Sequence, residues 1–359
     1  MASDNAAPSD LPPPEEIADL KRLAAGIIRE QGNRFIKELL RAKKIRIGVN
    51  KDDFESNLTE AIERGALRLN DVADWLKAVE GWGDHHAYIY NISAKLRRDL
   101  TETKIRKRVR DDATLEEVWD KETVLTFPNK PRLTSISFAD PVLRLVWQES
   151  SPGWTPVPDE NFKVDVGLDT FEYRAWRKFE ERTITRFEAH LDKGLAGLFI
   201  ADPIQGDEHE KAVAEARRVI GLLMDRSELE RGQVDISVVS RNLDQRNVPT
   251  NVTPNPEVKA QKSRLTSGGA YVEFAANSSD RAYWEEAAVQ NVRSSVKAAQ
   301  LEAFQGTGGV FIFQARPGSG GLARPLRVQL YAKGHRVRLW AQMNAAEVWS
   351  ILTKLSTYQ

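Results

Sequence analysis

The spacing of apolar residues changes near Asp120, and that change constrains the fold more than any other feature of the sequence. Before it, apolar residues recur every three or four positions, as they do from Phe54 to Ile62. After it, they recur every second position in short runs such as Leu143 to Trp147. A helix repeats about every 3.6 residues and a strand every two. The sequence therefore predicts an α+β protein, in which an all-helical N-terminal bundle precedes a β-rich domain of antiparallel sheet with packed helices.

Proline, glycine and helix-capping residues set the segment boundaries. Two stretches share the order strand, x-Lys-Gly turn, strand, helix, with turns at 192–194 and 332–334. This order suggests a duplicated sheet with its helices on one face, although chance could also produce it because a hairpin followed by a helix is common. Segments 150–158 and 247–269 are predicted to be loops. The predicted segments are a disordered tail (1–14), a helical domain (15–110), a connecting helix (111–120), a first β-sheet and helix unit (121–230) and a second such unit (231–359).

Composition excludes several classes of protein. The chain has 359 residues and no cysteine, which rules out disulfides, thiolate zinc sites and cysteine nucleophiles. It contains no run of roughly 18–20 apolar residues and does not begin like a secretory signal. We expect a protein that is cytoplasmic or associated with the nucleoid or chromatin, and that is not secreted.

The net charge is zero, but the charges are segregated along the sequence. Clustered lysine and arginine can neutralise a phosphate backbone even in a neutral chain. The alternative for each cluster is a solvated surface or a salt-bridged linker. We predict phosphate-led binding of nucleic acid, with double-stranded DNA as the partner and with segment 93–110 facing the first cluster across a basic groove. The predicted nucleic-acid-binding residues are Arg41, Lys43, Lys44, Arg46 and Lys51 in the first cluster, Lys95, Arg98, Lys104, Arg106, Lys107, Arg108 and Arg110 in the second, and Arg336 and Arg338 in the third.

One stretch carries a family resemblance. Residues 50–93 read NKDDFESNLTEAIERGALRLNDVADWLKAVEGWGDHHAYIYNIS, and the later segments ETVLTF and VLRLVWQE follow them. Over about residues 46–148 the chain resembles the pyrin-like helical domain and the first C-terminal strands of the centromere protein N family. The resemblance implies a non-enzymatic protein that contacts DNA through its helical domain and pairs through its C-terminal domain with itself or a related subunit. Lys51 matches a basic position of that family, whereas the extra N-terminal helices and region 261–326 depart from its pattern.

Two other classes of function stay open. A protein-interaction adaptor would use the death-like helical domain, with Trp82, Trp154 and Trp284 as anchors if exposed. A metal-dependent nuclease or defence effector would need clustered acids, and the nearest arrangement combines Asp165 or Asp169 with Glu172 and with Arg174 in place of the usual lysine. The histidines (His85, His86, His190, His209 and His335) are too scattered for a metal-ligand spacing. The glycine-rich stretches 306–309 and 318–321 match no phosphate-binding loop, and no serine nucleophile elbow is present. We therefore expect no metal, no cofactor and no catalysis. Helix 235–246 carries a polar face, including Ser240, that is also compatible with base readout, although phosphate-led binding is the better expectation.

Overall fold

A computed structural model describes residues 13–121, 128–201, 206–246, 257–267, 270–278, 281–300, 305–315 and 322–359. The chain forms two compact units. Unit 1 comprises Met1–Glu80, Val124–Arg132 and Gln148–Thr183, and unit 2 comprises Gly81–Thr123, Leu133–Trp147 and Ile184–Gln359. Residues 1–12 of the predicted tail, and the strand expected at ETVLTF, lie outside the described residues.

The helices are α1 (Pro14–Glu30), α2 (Asn33–Ala42), α3 (Lys51–Glu63), α4 (Leu69–Val79), α5 (Ala94–Asp99), α6 (Glu102–Arg110), α7 (Ala113–Glu116), α8 (Gly206–Leu223), α9 (Arg226–Arg231), α10 (Ile236–Arg246), α11 (Ala287–Gln300) and α12 (Ala345–Ser356). The strands are β1 (His85–Asn91), β2 (Arg132–Ala139), β3 (Val142–Pro156), β4 (Phe162–Val166), β5 (Asp169–Tyr173), β6 (Trp176–His190), β7 (Leu195–Ala201), β8 (Val258–Ser267), β9 (Ala270–Ala275), β10 (Gln305–Phe313), β11 (Leu326–Tyr331) and β12 (Arg336–Leu339).

The helical part of unit 1 consists of α1 to α4, which pack around a shared apolar core that includes Leu20, Ile36 and Phe54. Helix α3 begins at a capping box: the Asn50 side chain accepts the backbone N–H of Asp53 at 2.8 Å, and the Asp53 carboxylate accepts the N–H of Asn50 at 3.4 Å. The helical prediction is confirmed as far as α4, because caps and apolar spacing are local signals.

Two segments predicted to be loops are strands. Residues 150–156 continue β3, which lies beside β6 in the sheet, and β8 occupies most of 257–267. Pairing with a neighbouring strand overrides the weak local preference against strand in sequences that contain Pro, Gly and Ser. Residues 247–256 of the second predicted loop lie outside the described residues.

Unit 2 is built on a ten-stranded sheet in the order β2-β3-β6-β7-β1-β12-β11-β10-β8-β9. Strands from both predicted β-sheet and helix units belong to this one sheet. Strand β1 lies between them and pairs antiparallel with β7 and with β12. The prediction that 15–110 is all helical is therefore wrong at His85–Asn91. The segment is buried on both faces, so it lacks the alternation of polar and apolar residues that marks a half-exposed strand.

Helices cover both faces of the sheet, which corrects the prediction that they lie on one. Ala87 and Ile89 of β1 lie in a first core with residues of α10 and α12. Tyr88 and Tyr90 point the other way, into a second core with residues of α5 to α9. Successive side chains of a strand alternate between faces, so a central strand with apolar residues at every position requires cover on both sides.

The two strand–turn–strand–helix stretches are present as predicted. The β6–β7 hairpin closes on the pair His190 and Leu195, and the β11–β12 hairpin closes on Tyr331 and Arg336. Each turn contains a glycine at positive φ, +63° at Gly194 and +83° at Gly334, where a side chain would strain the backbone. Helices α8 and α12 follow the two hairpins. Their origin by duplication stays a prediction.

Candidate nucleic-acid interface

Helix α6 of unit 2 holds the densest part of the second basic cluster. Ile105 and Val109 are four residues apart and lie in the second core, which anchors one side of the helix. At about 100° per residue, Arg106, Arg110 and Lys107 fall within an arc of about 100° on the other side. All three side chains are exposed. The fold thus presents three cations from a helix that is fixed on its opposite face.

Other members of the second cluster are held in ion pairs. The Lys95 Nζ lies 3.1 Å from a carboxylate oxygen of Glu228, and the Lys104 Nζ lies 3.4 Å from one of Asp99. Arg108 donates to the Asp99 carboxylate at 2.6 Å and to the backbone carbonyl of Leu223 at 2.7 Å. The hydrogen bond from Arg108 is the main reason that the pKa of Asp99 is lowered. For Lys95, Lys104 and Arg108 the salt-bridged alternative is therefore the better interpretation.

The remaining members of the second cluster are the exposed residues Arg98, Arg106, Lys107 and Arg110. In the part of the chain that the structure describes, none of these four has an ion-pair partner. Unpaired surface cations keep their full charge for an external anion, whereas a paired cation must first give up its carboxylate.

The first cluster lies in unit 1, from the last turn of α2 to the first turn of α3. Arg41, Lys44 and Arg46 are exposed, and Lys51 is exposed at the start of α3. Lys43 differs, because it forms an ion pair with Asp71. Burial alone would raise the pKa of Asp71, but the hydrogen bond from Lys43 lowers it. The groove predicted between this cluster and segment 93–110 would join residues of two units, and it stays a prediction.

The third cluster lies on one face of the β11–β12 hairpin. Val337 and Leu339 point into the first core, so Arg336 and Arg338 of the same strand point to the opposite face. Arg327 of β11 shares that face, since Leu326 and Val328 point into the first core. The structure thus confirms that Arg336 and Arg338 lie on the same face.

Aromatic rings outside the predicted site residues lie beside these arginines. The Arg327 guanidinium lies 4.3 Å from the ring centre of Trp340, and that of Arg338 lies 5.4 Å from it. The Arg336 guanidinium lies 4.8 Å from the ring centre of Tyr331. Stacking of this kind orients the guanidinium and weakens its hydration. Trp340 could have been identified from the sequence, because it follows Arg336 and Arg338 at the same two-residue spacing.

The same face continues onto β1. The Tyr88 hydroxyl lies 2.9 Å from Nε2 of His209 on α8, and the His86 ring lies 5.1 Å from that of His209. Burial raises the pKa of Tyr88, and the positive charges of Arg336 and Arg217 oppose that rise. Sequence spacing could not reveal this group, since its members come from strands and a helix that are more than a hundred residues apart.

The residues of the nuclease alternative do not converge. On the β4–β5 hairpin, Asp165 accepts a hydrogen bond from Thr170 at 2.7 Å, and Glu172 pairs with Arg174 at 3.5 Å. Asp169 lies on the other face of the hairpin, opposite Val166. Among the described residues, no group of three or more histidine or carboxylate side chains is placed to hold a metal ion.

Two further alternatives lose most of their support. Trp82 and Trp284 are buried, and of the three candidate anchors only Trp154 is exposed. On α10, Ser240 is also buried and Asn242 donates to the backbone carbonyl of Tyr358, so this helix offers little free polar surface for base readout.

No helix in the described ranges has both the length and the apolar character needed to cross a membrane. No protein-family model matches the chain, and no curated protein is detectably similar to it.

Proposed function

We propose that this protein binds the sugar–phosphate backbone of nucleic acid and that its main ligand is double-stranded DNA. We propose further that it does so without catalysis. The observation that carries the proposal is the row of exposed cations on α6, Arg106, Lys107 and Arg110, for which the described residues provide no acidic partner. Backbone contacts of this kind supply most of the affinity in sequence-tolerant binding.

The attachment of α6 supports the proposal. Because Ile105 and Val109 hold the helix on the second core, the three cations start from a fixed backbone. One helical turn rises about 5.4 Å, and each DNA strand carries a charge about every 3.4 Å along its axis, so the row can meet one or two phosphates per strand. Arg98 at the neighbouring α5 adds a further exposed charge.

The other clusters are further candidates for phosphate contact, each within its own unit. Arg41, Lys44 and Arg46 in unit 1 are exposed lysines and arginines, and Arg336 and Arg338 in unit 2 are stacked on aromatic rings. The resemblance of residues 46–148 to the centromere protein N family belongs to the same proposal. It adds a pyrin-like identity for the helices of unit 1 and assembly with a second copy or a related subunit.

The proposal is tested by fluorescence anisotropy with a labelled duplex over a series of salt concentrations. The triple variant Arg106→Ala, Lys107→Ala, Arg110→Ala should bind more weakly, and the slope of log affinity against log salt should flatten by roughly 0.9 for each lost phosphate contact.

A matched control removes two lysines that are already paired, Lys95→Ala with Lys104→Ala. The control lowers the net charge by two but should change the slope far less than the triple variant does. An unchanged slope in the triple variant, or no binding by the wild type at low salt, would remove DNA binding from α6.

A further inference from the structure

The β4–β5 hairpin of unit 1 is amphipathic and exposes its apolar face. The register pairs Phe162 with Tyr173 and Val164 with Phe171, so these four side chains share one face. The rings of Phe162 and Tyr173 stack at 4.8 Å. The exposed fractions are 56% for Phe162, 38% for Val164, 48% for Phe171 and 51% for Tyr173. Val166 extends the same face.

The opposite face of the hairpin is polar and already satisfied. Lys163 stands across from Glu172, and Asp165 across from Thr170. Asp165 accepts the Thr170 hydroxyl, and Glu172 pairs with Arg174. The hairpin therefore has one face suited to water and one suited to a protein core, which is the pattern of a strand pair covered on one side.

An isolated pair of strands is marginally stable in water, and β4 and β5 form a two-stranded sheet of their own among the described strands. A monomer seldom exposes a contiguous group of large apolar side chains. Burial of the apolar face by a partner would stabilise the hairpin as well as the complex.

The charges around the hairpin indicate which partner. Asp169 and Glu172 precede Tyr173, and Arg174, Arg177 and Lys178 follow it. When two hairpins pack antiparallel through their apolar faces, the tip of each, which carries Asp169, comes near the open end of the other, from which the chain continues to Arg177 on β6. Both residues are exposed, and neither has an ion-pair partner within the described residues. Segment 159–178 holds five acidic and four basic residues, a balance that does not favour an anionic membrane.

We infer that two copies of this chain associate through the apolar faces of their β4–β5 hairpins, packed antiparallel so that the acidic end of one hairpin meets the basic end of the other. Half-exposed side chains of this size offer on the order of 500 Å² per copy, which is at the small end for a specific interface. The complex is accordingly weak and forms in a concentration-dependent way. This inference is independent of nucleic-acid binding.

Sedimentation velocity without nucleic acid tests the interface. The wild type should shift from monomer to dimer as its concentration rises, and Phe162→Ser with Phe171→Ser should abolish the shift. The matched control is Lys163→Ser with Thr170→Ala on the polar face, which should still dimerise. Circular dichroism establishes that each variant is folded. A wild type that is monomeric at every concentration, or an apolar-face variant that still dimerises, overturns the inference.

Charge reversal tests the antiparallel orientation. Asp169→Lys and Arg177→Glu should each weaken self-association about tenfold or more, because each places like charges together twice in the dimer. An equimolar mixture of the two variants should recover wild-type association, since the mixed dimer pairs Lys with Glu and Arg with Asp. A mixture that stays monomeric contradicts this orientation. Flotation of the wild type with uncharged phosphatidylcholine vesicles, lost in Phe162→Ser with Phe171→Ser, would show instead that lipid covers the face.

Discussion

Two regions of unit 2 use arginine in opposite ways. On α6, Arg106 and Arg110 are exposed and have no acidic partner in the described chain. On β6 and β3, Arg186 and Arg144 form ion pairs with the buried carboxylate of Glu188. The difference shows that the role of a basic residue depends on its neighbours. An arginine with a carboxylate at hydrogen-bonding distance stabilises the fold, whereas an arginine without one keeps its charge for an external anion.

The Glu188 carboxylate is the centre of a buried polar network. Its oxygens accept hydrogen bonds from Arg144 and from Nε1 of Trp349 at 3.2 Å, and His190 Nε2 lies 3.3 Å away. Arg186 lies 3.6 Å from it. Burial alone would raise the pKa of Glu188, but the bond to His190 and the charges of the two arginines lower it to about 2.

The largest effect is expected from Glu188→Ala. Removing one member of a buried ion pair leaves the other charge uncompensated, and typically costs about 3–5 kcal/mol. The free energy of unfolding in urea measures this loss. Glu172→Ala, at an exposed ion pair, should change stability by less than about 1 kcal/mol. Equal losses for the two variants would contradict the contrast between the buried network and a surface pair.

Acid should remove the contribution of Glu188. A carboxylate with a folded pKa of about 2, below its ordinary value of 4.5, stabilises the protein fully above 4.5 and loses this contribution as the pH falls towards 2. The contribution is on the order of 3 kcal/mol. Urea unfolding over this pH range should show the stability gap between the wild type and Glu188→Gln closing. A gap that does not depend on pH would exclude the charged network.

Smaller effects on stability are expected from substituting two arginines of α6. Arg108→Ala loses the bonds to Asp99 and to the Leu223 carbonyl, and should cost about 1–2 kcal/mol of stability with little effect on DNA affinity. Arg106→Ala should change stability by less than about 0.5 kcal/mol and should weaken DNA binding. Thermal unfolding and anisotropy on the same two variants measure both effects. If Arg108→Ala were the variant that weakened DNA binding, paired and unpaired cations would not differ as proposed.

The candidate site could be predicted from the sequence only where local spacing determines exposure. Arg106, Lys107 and Arg110 follow from a helical period set by Ile105 and Val109. The alternation in β12 places Arg336 and Arg338 on one face. The pairing of Lys95 with Glu228 could not be predicted, because the carboxylate belongs to a helix more than a hundred residues later. The sequence therefore predicts where the basic residues cluster, but not which of them lack an acidic partner among the described residues.

By itself the sequence determined the class of the protein and its local elements. Helical and two-residue periods, the Asn50 cap and the glycine turns all act over a few residues, and α3, β11 and α12 appear where those signals place them. Only the tertiary structure decided that His85–Asn91 is a strand, that the sheet is covered on both faces, and which cations are paired. These features depend on contacts between distant segments, which supply most of the burial and ion pairing and can override local preference.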